Sequence, residues 1–376
     1  MRRYQDAHDP MNARLPAIGL TRPGCVARQE RLRQQLSTLG LDAALLTAPE
    51  HVMYFTNHWA RAVYAGAVLL PRRGPVVLAA PPGDRGHVVA DEVLDYRADR
   101  LATLVDDQPS AALEPLVPLL KDHARLGCDD PRRPWRLESN TLDDLNETLS
   151  TLRRRKDPDE VDMIRHAISG CDAAYAAARE LLEPGVSEVR VYAAMQAAAV
   201  EAVGEPIGEF GNDFQAGTPG GPPRPRGVEA GELMPLDIGV VVRGYHCDLC
   251  RTFSVDRNPT PEQKEARRLL MNALEHVEKT AVAGTSCRRL YEEAFTALDG
   301  RHGWKFSHHL GHGIGLGAHE APRLNPNWDD TLEVRDVFTV EPGLYGRDLR
   351  GGIRIEQNYL VAESGLERLS HFPTDL

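Results

Sequence analysis

Apolar positions along this chain repeat with two periods, and the changes between them divide it. Leu32, Leu36 and Leu39 share one helical face and predict a helix over 27–39, which Gly40 stops. Strand-sized apolar runs follow at 43–47, 65–70 and 76–80, the last two separated by the turn-like segment 71–74. Another apolar helix is predicted near 111–123. Residues 1–24 carry little pattern and read as an arm, and the polar stretch 129–140 reads as an exit linker. The expected division is an arm over 1–24, an α/β domain over 25–150 and a second domain over 151–376.

The second domain opens with Asp157 as N-cap, Pro158 in the first turn and Glu160 where a capping box needs it. Val161, Ile164, Ile168, Cys171 and Tyr175 follow at helical spacing, and Pro184-Gly185 ends that helix. A second helix is predicted over 188–203, closed by Gly204. The plan then recurs. Thr260, Pro261 and Gln263 repeat the cap, proline and box, a helix runs to about 283, and a shorter one runs to about 302. Gly185, Ser187, Arg190 and Tyr192 match Gly284, Ser286, Arg289 and Tyr291 at an offset of 99 residues. Two matched helix–helix–strand halves imply an internal pseudo-twofold.

Composition narrows the function. The 376 residues carry 55 acidic and 44 basic side chains, a net charge of −11, and only five of the basic residues are Lys. That balance argues against nucleic-acid binding by phosphate neutralisation. No segment reaches the roughly 18 consecutive apolar residues of a membrane span, and no apolar run follows Arg2 and Arg3 as in a signal peptide. Six Cys are too sparse for a disulfide scaffold. A reduced cytoplasmic protein, acting on neither nucleic acid nor membrane, is the expectation.

The chemistry gathers in the strand segments after each helix pair. Arg243-Gly244 suits a two-residue hairpin turn, which sets Val242 opposite Tyr245 and Asp237 opposite Cys250. Asp237 and Asp248 then project from one face as diagonal neighbours. Two carboxylates on one buried face need a cation or a shared proton. In the second half, four of the chain's 14 His fall within 308–319: His308, His309, His312 and His319. Glu341 follows an apolar run, and Glu356 shares the polar face of an alternating strand with Arg354 and Asn358. Four carboxylates and one imidazole suit two Mn²⁺, Fe²⁺, Co²⁺ or Zn²⁺ ions about 3.5–4 Å apart. Cys247 and Cys250 have CxxC spacing but point to opposite strand faces, so they do not clamp one metal. The run from Gly311 to Gly317 lacks the Lys-Ser/Thr of a phosphate loop.

The order Asp237, Asp248, His312, Glu341, Glu356 resembles the pita-bread metallohydrolases: Xaa-Pro aminopeptidase, prolidase, methionine aminopeptidase and creatinase. Arg251-Thr252-Phe253, His308 through Gly315, His319-Glu320, Glu341-Pro342-Gly343 and Arg354-Ile355-Glu356 carry the likeness. The stretch from Arg31 to Thr56 resembles the N-terminal domain of the creatinase, prolidase and aminopeptidase P branch.

The resemblance implies an α+β pita-bread catalytic domain after an α/β creatinase-type domain, in a homodimer whose N-terminal domains help close the partner's site. It implies a hydrolase that uses two divalent ions, Mn²⁺ first, to cleave Xaa-Pro or similar short peptides. Glu341 would be both ligand and proton shuttle, His308 and His319 would bind the substrate carbonyl, and Arg354 would orient Asp248 or Glu356. Proline-specific relatives usually carry another His some 17 residues before the first Asp. The stretch 215–223 has none, which weighs against strict Xaa-Pro specificity, and His246 is the candidate to replace it at the substrate. The alternatives are a small-molecule C–N hydrolase like ectoine hydrolase, or a lyase on the same site. A binding module without metal is a further class, against which all five ligand positions stand filled.

Overall fold

The computed structural model describes residues 18–60, 63–83, 87–130 and 141–376. Residues 1–17 of the expected arm and 131–140 of the expected linker lie outside them. Helix α1 (Arg22–Leu39) starts five residues before the predicted 27. The Thr21 hydroxyl accepts from the Gly24 N–H at 3.1 Å, and Pro23 sits in the first turn, where its missing N–H costs nothing. Residues 22–24, expected in the arm, are therefore helical. Next come β1 (Ala43–Leu46) and α2 (Pro49–Thr56). The pattern missed α2 because it is buried all round, from His51 to Thr56, and so shows no period.

Strands β2 (Ala67–Pro71), β3 (Val77–Ala80) and β4 (Glu92–Asp95) follow, then the small pair β5 (Asp99–Arg100) and β6 (Thr103–Leu104). The helix expected over 111–123 is broken into α3 (Gln108–Leu113) and α4 (Val117–Leu120), with Pro115 and Pro118 at the joint. β7 (Arg125–Cys128) and β8 (Thr141–Asp144) complete a mixed sheet in the order β4-β3-β2-β1-β7-β8. β8 pairs in parallel with β7, and the chain leaves this sheet through α5 (Asn146–Arg154).

The second part opens with α6 (Pro158–Leu181), where the Glu160 carboxylate accepts from the Asp157 N–H at 2.8 Å, and α7 (Glu188–Val203), ended by left-handed Gly204. Strands β9 (Leu233–Ile238), β10 (Val241–Val242), β11 (Tyr245–His246) and β12 (Leu249–Ser254) form the hairpin, followed by α8 (Pro261–Thr280) and α9 (Cys287–Leu298). Left-handed Gly300 comes soon after α9, short of the expected 302. The last strands are β13 (Gly311–Gly313), β14 (Glu320–Leu324), β15 (Val337–Val340), β16 (Gly343–Gly346), β17 (Gly351–Arg354), β18 (Gln357–Ala362) and β19 (Gly365–Arg368). Five of them form a sheet in the order β14-β13-β15-β18-β19.

The expected internal repeat is present at atomic detail. Gly185 and Gly284 both take positive φ, and their N–H groups donate to Val228 O at 2.8 Å and Leu332 O at 2.7 Å. Ser187 and Ser286 cap the next helices, each accepting a backbone N–H, of Arg190 and Arg289, at 3.2 Å. Further on the offset becomes 104. Glu232 accepts the Glu229 N–H at 2.9 Å, and Asp336 accepts the Glu333 N–H at 2.7 Å. At this offset Asp237 corresponds to Glu341, each at or just beyond the end of its strand.

The two parts share a continuous apolar core that runs from α1 and α2 through α6 and α7 to β9. Arg28, fully buried, ties them together. Its guanidinium bonds Asp157 at 3.1 Å, Asp159 at 2.9 Å and Tyr54 O at 2.8 Å. Removing only the cation leaves buried carboxylates unpaired, so Arg28→Met should cost about 3–5 kcal/mol of stability. Urea denaturation of metal-free wild type and variant measures this; a loss under about 1 kcal/mol would refute the role of Arg28.

Candidate metal centre

The hairpin has the expected register. Asp237 pairs with Cys250 and Val242 with Tyr245, and the turn residues Arg243 and Gly244 have φ of 48° and 82°. Regular pairing lapses between the two short ladders, and there Asp248 leans over the site, its N–H 3.4 Å from Asn358 Oδ1. His312 sits in β13. Its N–H donates to the Thr339 hydroxyl at 3.2 Å, and its Nδ1 lies 3.1 Å from Gly313 O. That leaves Nε2 facing Glu341 Oε1 at 3.4 Å and Asp248 Oδ2 at 3.7 Å. Gly313 is dictated by space, since a Cβ there would lie 2.1 Å from Ala321 O. Glu341 directly follows β15. Glu356 lies two residues beyond β17, where its N–H donates to Cys250 O at 3.0 Å.

Three overlapping groups result: Asp237–Asp248–Glu356, His312–Glu341–Glu356 and Asp248–His312–His319. Within each, the donor atoms lie within 4.8 Å of one another. Burial pushes the carboxyls of Asp248, Glu341 and Glu356 well above their usual range, and their neighbours' charges add to this. Both Glu356 oxygens are buried with no hydrogen-bond partner. Burial and the neighbouring His319 hold His312 at about 3, so its imidazole is a neutral lone-pair donor at pH 7. Crowded oxygens, an orphaned carboxylate and a neutral imidazole fit divalent cations of the hard-to-borderline kind.

Around this cage stand the other residues singled out. His319 is exposed, and its ring lies flat on His312, 3.7 Å away and 9° from parallel. His308 is tied on both sides: Nδ1 is 2.8 Å from His309 O, and Nε2 is 2.9 Å from the Tyr345 hydroxyl. Arg354 was expected on Asp248 or Glu356. It instead bonds Asp237 and Asp213 through Nη2, and Tyr345 at 3.0 Å through Nη1. The reason is register: Arg354 is bonded through its backbone to Thr252 of β12, the strand that pairs with β9 and Asp237. His246 is half-buried, with Nδ1 3.2 Å from Gly315 O, outside the three groups.

Sequence reasoning missed Tyr345, Asp213 and the approach of His309, whose Nδ1 is 3.3 Å from Glu341 Oε1. Asp213 occupies the space beside the stretch 215–223, where the sequence has no His. Seventeen residues before Asp237 stands Gly220, where a Cβ would fall 2.4 Å from the Asp213 carboxyl carbon. The Asp213 carboxylate fills that space, accepting the Gly221 N–H at 2.7 Å.

A duplicated α+β frame around crowded carboxylates and neutral imidazoles defines a metal-dependent enzyme. The profile of metallopeptidase family M24 matches residues 162–363, and that of the creatinase/prolidase N-terminal domain matches 28–154. The chain belongs to metallopeptidase family M24. It is 25% identical over 360 residues to the Xaa-Pro dipeptidase of Pyrococcus furiosus, covering 93% of this chain and 99% of that protein. In fold it is similar to the prolidase of Pyrococcus horikoshii OT3 (TM-score 0.76, 22% identity, 93% of this chain and 99% of that one). It is equally similar to a Xaa-Pro dipeptidase from Bacillus anthracis (TM-score 0.76, 24% identity, 94% and 99%). The pita-bread catalytic fold after an α/β creatinase-type domain is thereby established, and with it a metal-dependent peptidase.

A divalent ion that binds only the folded state should raise unfolding free energy by about 2.7 kcal/mol at 100 times its dissociation constant. Thermal melts with and without chelator test this. Glu356→Gln should lower the bound metal measured by elemental analysis, and undiminished metal in that variant would refute the site.

Proposed function

We propose that Asp237, Asp248, His312, Glu341 and Glu356 hold two divalent ions, Mn²⁺ first among Mn²⁺, Fe²⁺, Co²⁺ and Zn²⁺, in an enzyme that cleaves Xaa-Pro or similar short peptides. The observation that carries this is the set of three overlapping donor groups, each spanning no more than 4.8 Å. Bound there, the ions would supply an activated water and Lewis acidity toward the scissile carbonyl.

The chain's own side chains do the rest. Glu341, beside His312 and His309, receives the proton from the attacking water and returns it to the leaving amine. His319 presents an exposed ring to the substrate oxygen as negative charge develops there. His308 would bind the same oxygen through Nε2, which lies 2.9 Å from the Tyr345 hydroxyl before substrate enters. Arg354 holds Asp237 in place and offsets one carboxylate charge. His246, with Nδ1 3.2 Å from Gly315 O, is the further residue we assign to the substrate. In the domain division we propose, 151–376 is the catalytic unit and 25–150 shapes the partner's site in a homodimer. Six unpaired, buried cysteines support a reducing, cytoplasmic setting.

A second reading, C–N hydrolysis of a small molecule or elimination on the same site, is supported by the absence of a His over 215–223.

A substrate panel separates the two. Xaa-Pro dipeptides, longer Xaa-Pro peptides, non-proline dipeptides, acylated diamino acids and sulfonium acids are assayed with Mn²⁺ and with chelator. Peptide turnover abolished by chelator is expected, and no turnover of any peptide would overturn the peptidase reading. Glu341→Gln should lower kcat about 10²–10⁴-fold. His319→Ala should lower it about 10²-fold. A smaller fall in both variants would remove these residues from the chemistry.

A further inference from the structure

Glu320 opens β14 directly after His319, yet the proposed chemistry does not use it. Its Oε2 accepts from Lys156 Nζ at 3.1 Å, and its Oε1 accepts from Arg153 Nη2. Arg153 Nη1 is 3.0 Å from His51 Nε2, and His51 Nδ1 is 3.0 Å from Asp129 Oδ2. Arg153 can only donate, so His51 Nε2 accepts and its ring proton sits on Nδ1, facing Asp129. Asp129 is anchored in turn by the N–H groups of Thr47 and Ala48, at 3.0 and 2.9 Å. Two cations and two anions are thus chained through one imidazole, from the turn after β1, across α2 and α5, to β14. None of these five side chains is more than 12% exposed. Burial alone would raise the Glu320 carboxyl, but Lys156 and Arg153 outweigh it and hold it at about 2.

The loop beside the cage is shaped around this chain. A Cβ on Gly315 would lie 2.7 Å from Lys156 Cε, so the backbone there closes directly over the Lys156–Glu320 pair. The pairing of β14 with β13 is irregular, with a register shift between His312 and Gly313, so the ladder itself fixes the start of β14 weakly. The ion chain supplies what the ladder lacks.

We propose that Arg153, clamped between His51 and Glu320, is a positioning residue through which the N-terminal α/β unit holds His319 flat against His312. This rests on the reading of His319 as a substrate-side group. Glu320 is the point of attachment, and His51 and Asp129 are the anchor.

The test uses the full-length, metal-loaded protein in four forms: wild type, Glu320→Gln, His51→Leu and His51→Gln. In Glu320→Gln and His51→Leu, kcat should fall about tenfold, with KM within about threefold and bound metal unchanged. Hydrogen exchange of the amides in 313–324 should quicken about fivefold or more, while α6 and α7 keep their protection. His51→Gln, whose amide offers one acceptor and one donor, should recover most of both effects. Unchanged exchange and kcat in the first two variants would overturn the proposal. So would a loss that spreads over the whole chain, follows loss of metal or is not recovered by His51→Gln. Should wild type cleave no peptide, the peptidase reading fails, and hydrogen exchange still decides whether Arg153 couples the two units.

Discussion

Like charge held in a small dry space is the constraint on which the rest of this structure depends. Asp237, Asp248, Glu341 and Glu356 come from four strand ends and converge within a few ångströms, two of them with almost no access to water. Without cations, three of these carboxyls are driven toward their protonated forms. A fold that places them there does so at a cost in stability, and a divalent ion turns that cost into affinity. The surrounding polar groups follow the same logic. Arg354 covers Asp237, Thr339 donates to Glu341, and His312 turns its free nitrogen inward because the other is occupied by Gly313 O.

The frame that achieves this convergence is two-part at two scales. The N-terminal α/β unit and the catalytic unit are joined by short ionic contacts around Arg28 and Asp157, with cations from α1 and from Arg335 meeting the cap of α6. Within the catalytic unit, each half repeats a capped helix pair, a left-handed glycine and a strand. The strands β9 and β15 deliver Asp237 and Glu341 at the same step.

Much of this was legible in the sequence because the signals were local. Capping boxes at Asp157 and Thr260, the hairpin turn at Arg243-Gly244 and the alternation at 353–358 each depend on neighbours in sequence. The helix start at Thr21, the buried helix α2 and the break at Pro115 were harder, since burial erased the period or a cap lay beyond the apolar stripe. The five candidate ligands stood out in the sequence as a set, through their order and resemblance. Asp213, Tyr345 and the partner of Arg354 did not, because they meet only through contacts separated by 9 to 141 residues. The contacts of Glu320 were hidden for the same reason: its partners Arg153 and Lys156 stand 167 and 164 residues away.

The repeat also bears on how such a cage can arise. The first half carries Asp237 and Asp248 and the second carries His312, Glu341 and Glu356, while the group Asp237–Asp248–Glu356 draws on both. The group His312–Glu341–Glu356 lies wholly in the second half, but neither half alone holds all five donors. Two separate halves would have to find each other in solution, so occupancy of the cage would fall on dilution. Joined in one chain, they meet at an effective concentration on the order of millimolar, and the cage no longer depends on how much protein is present.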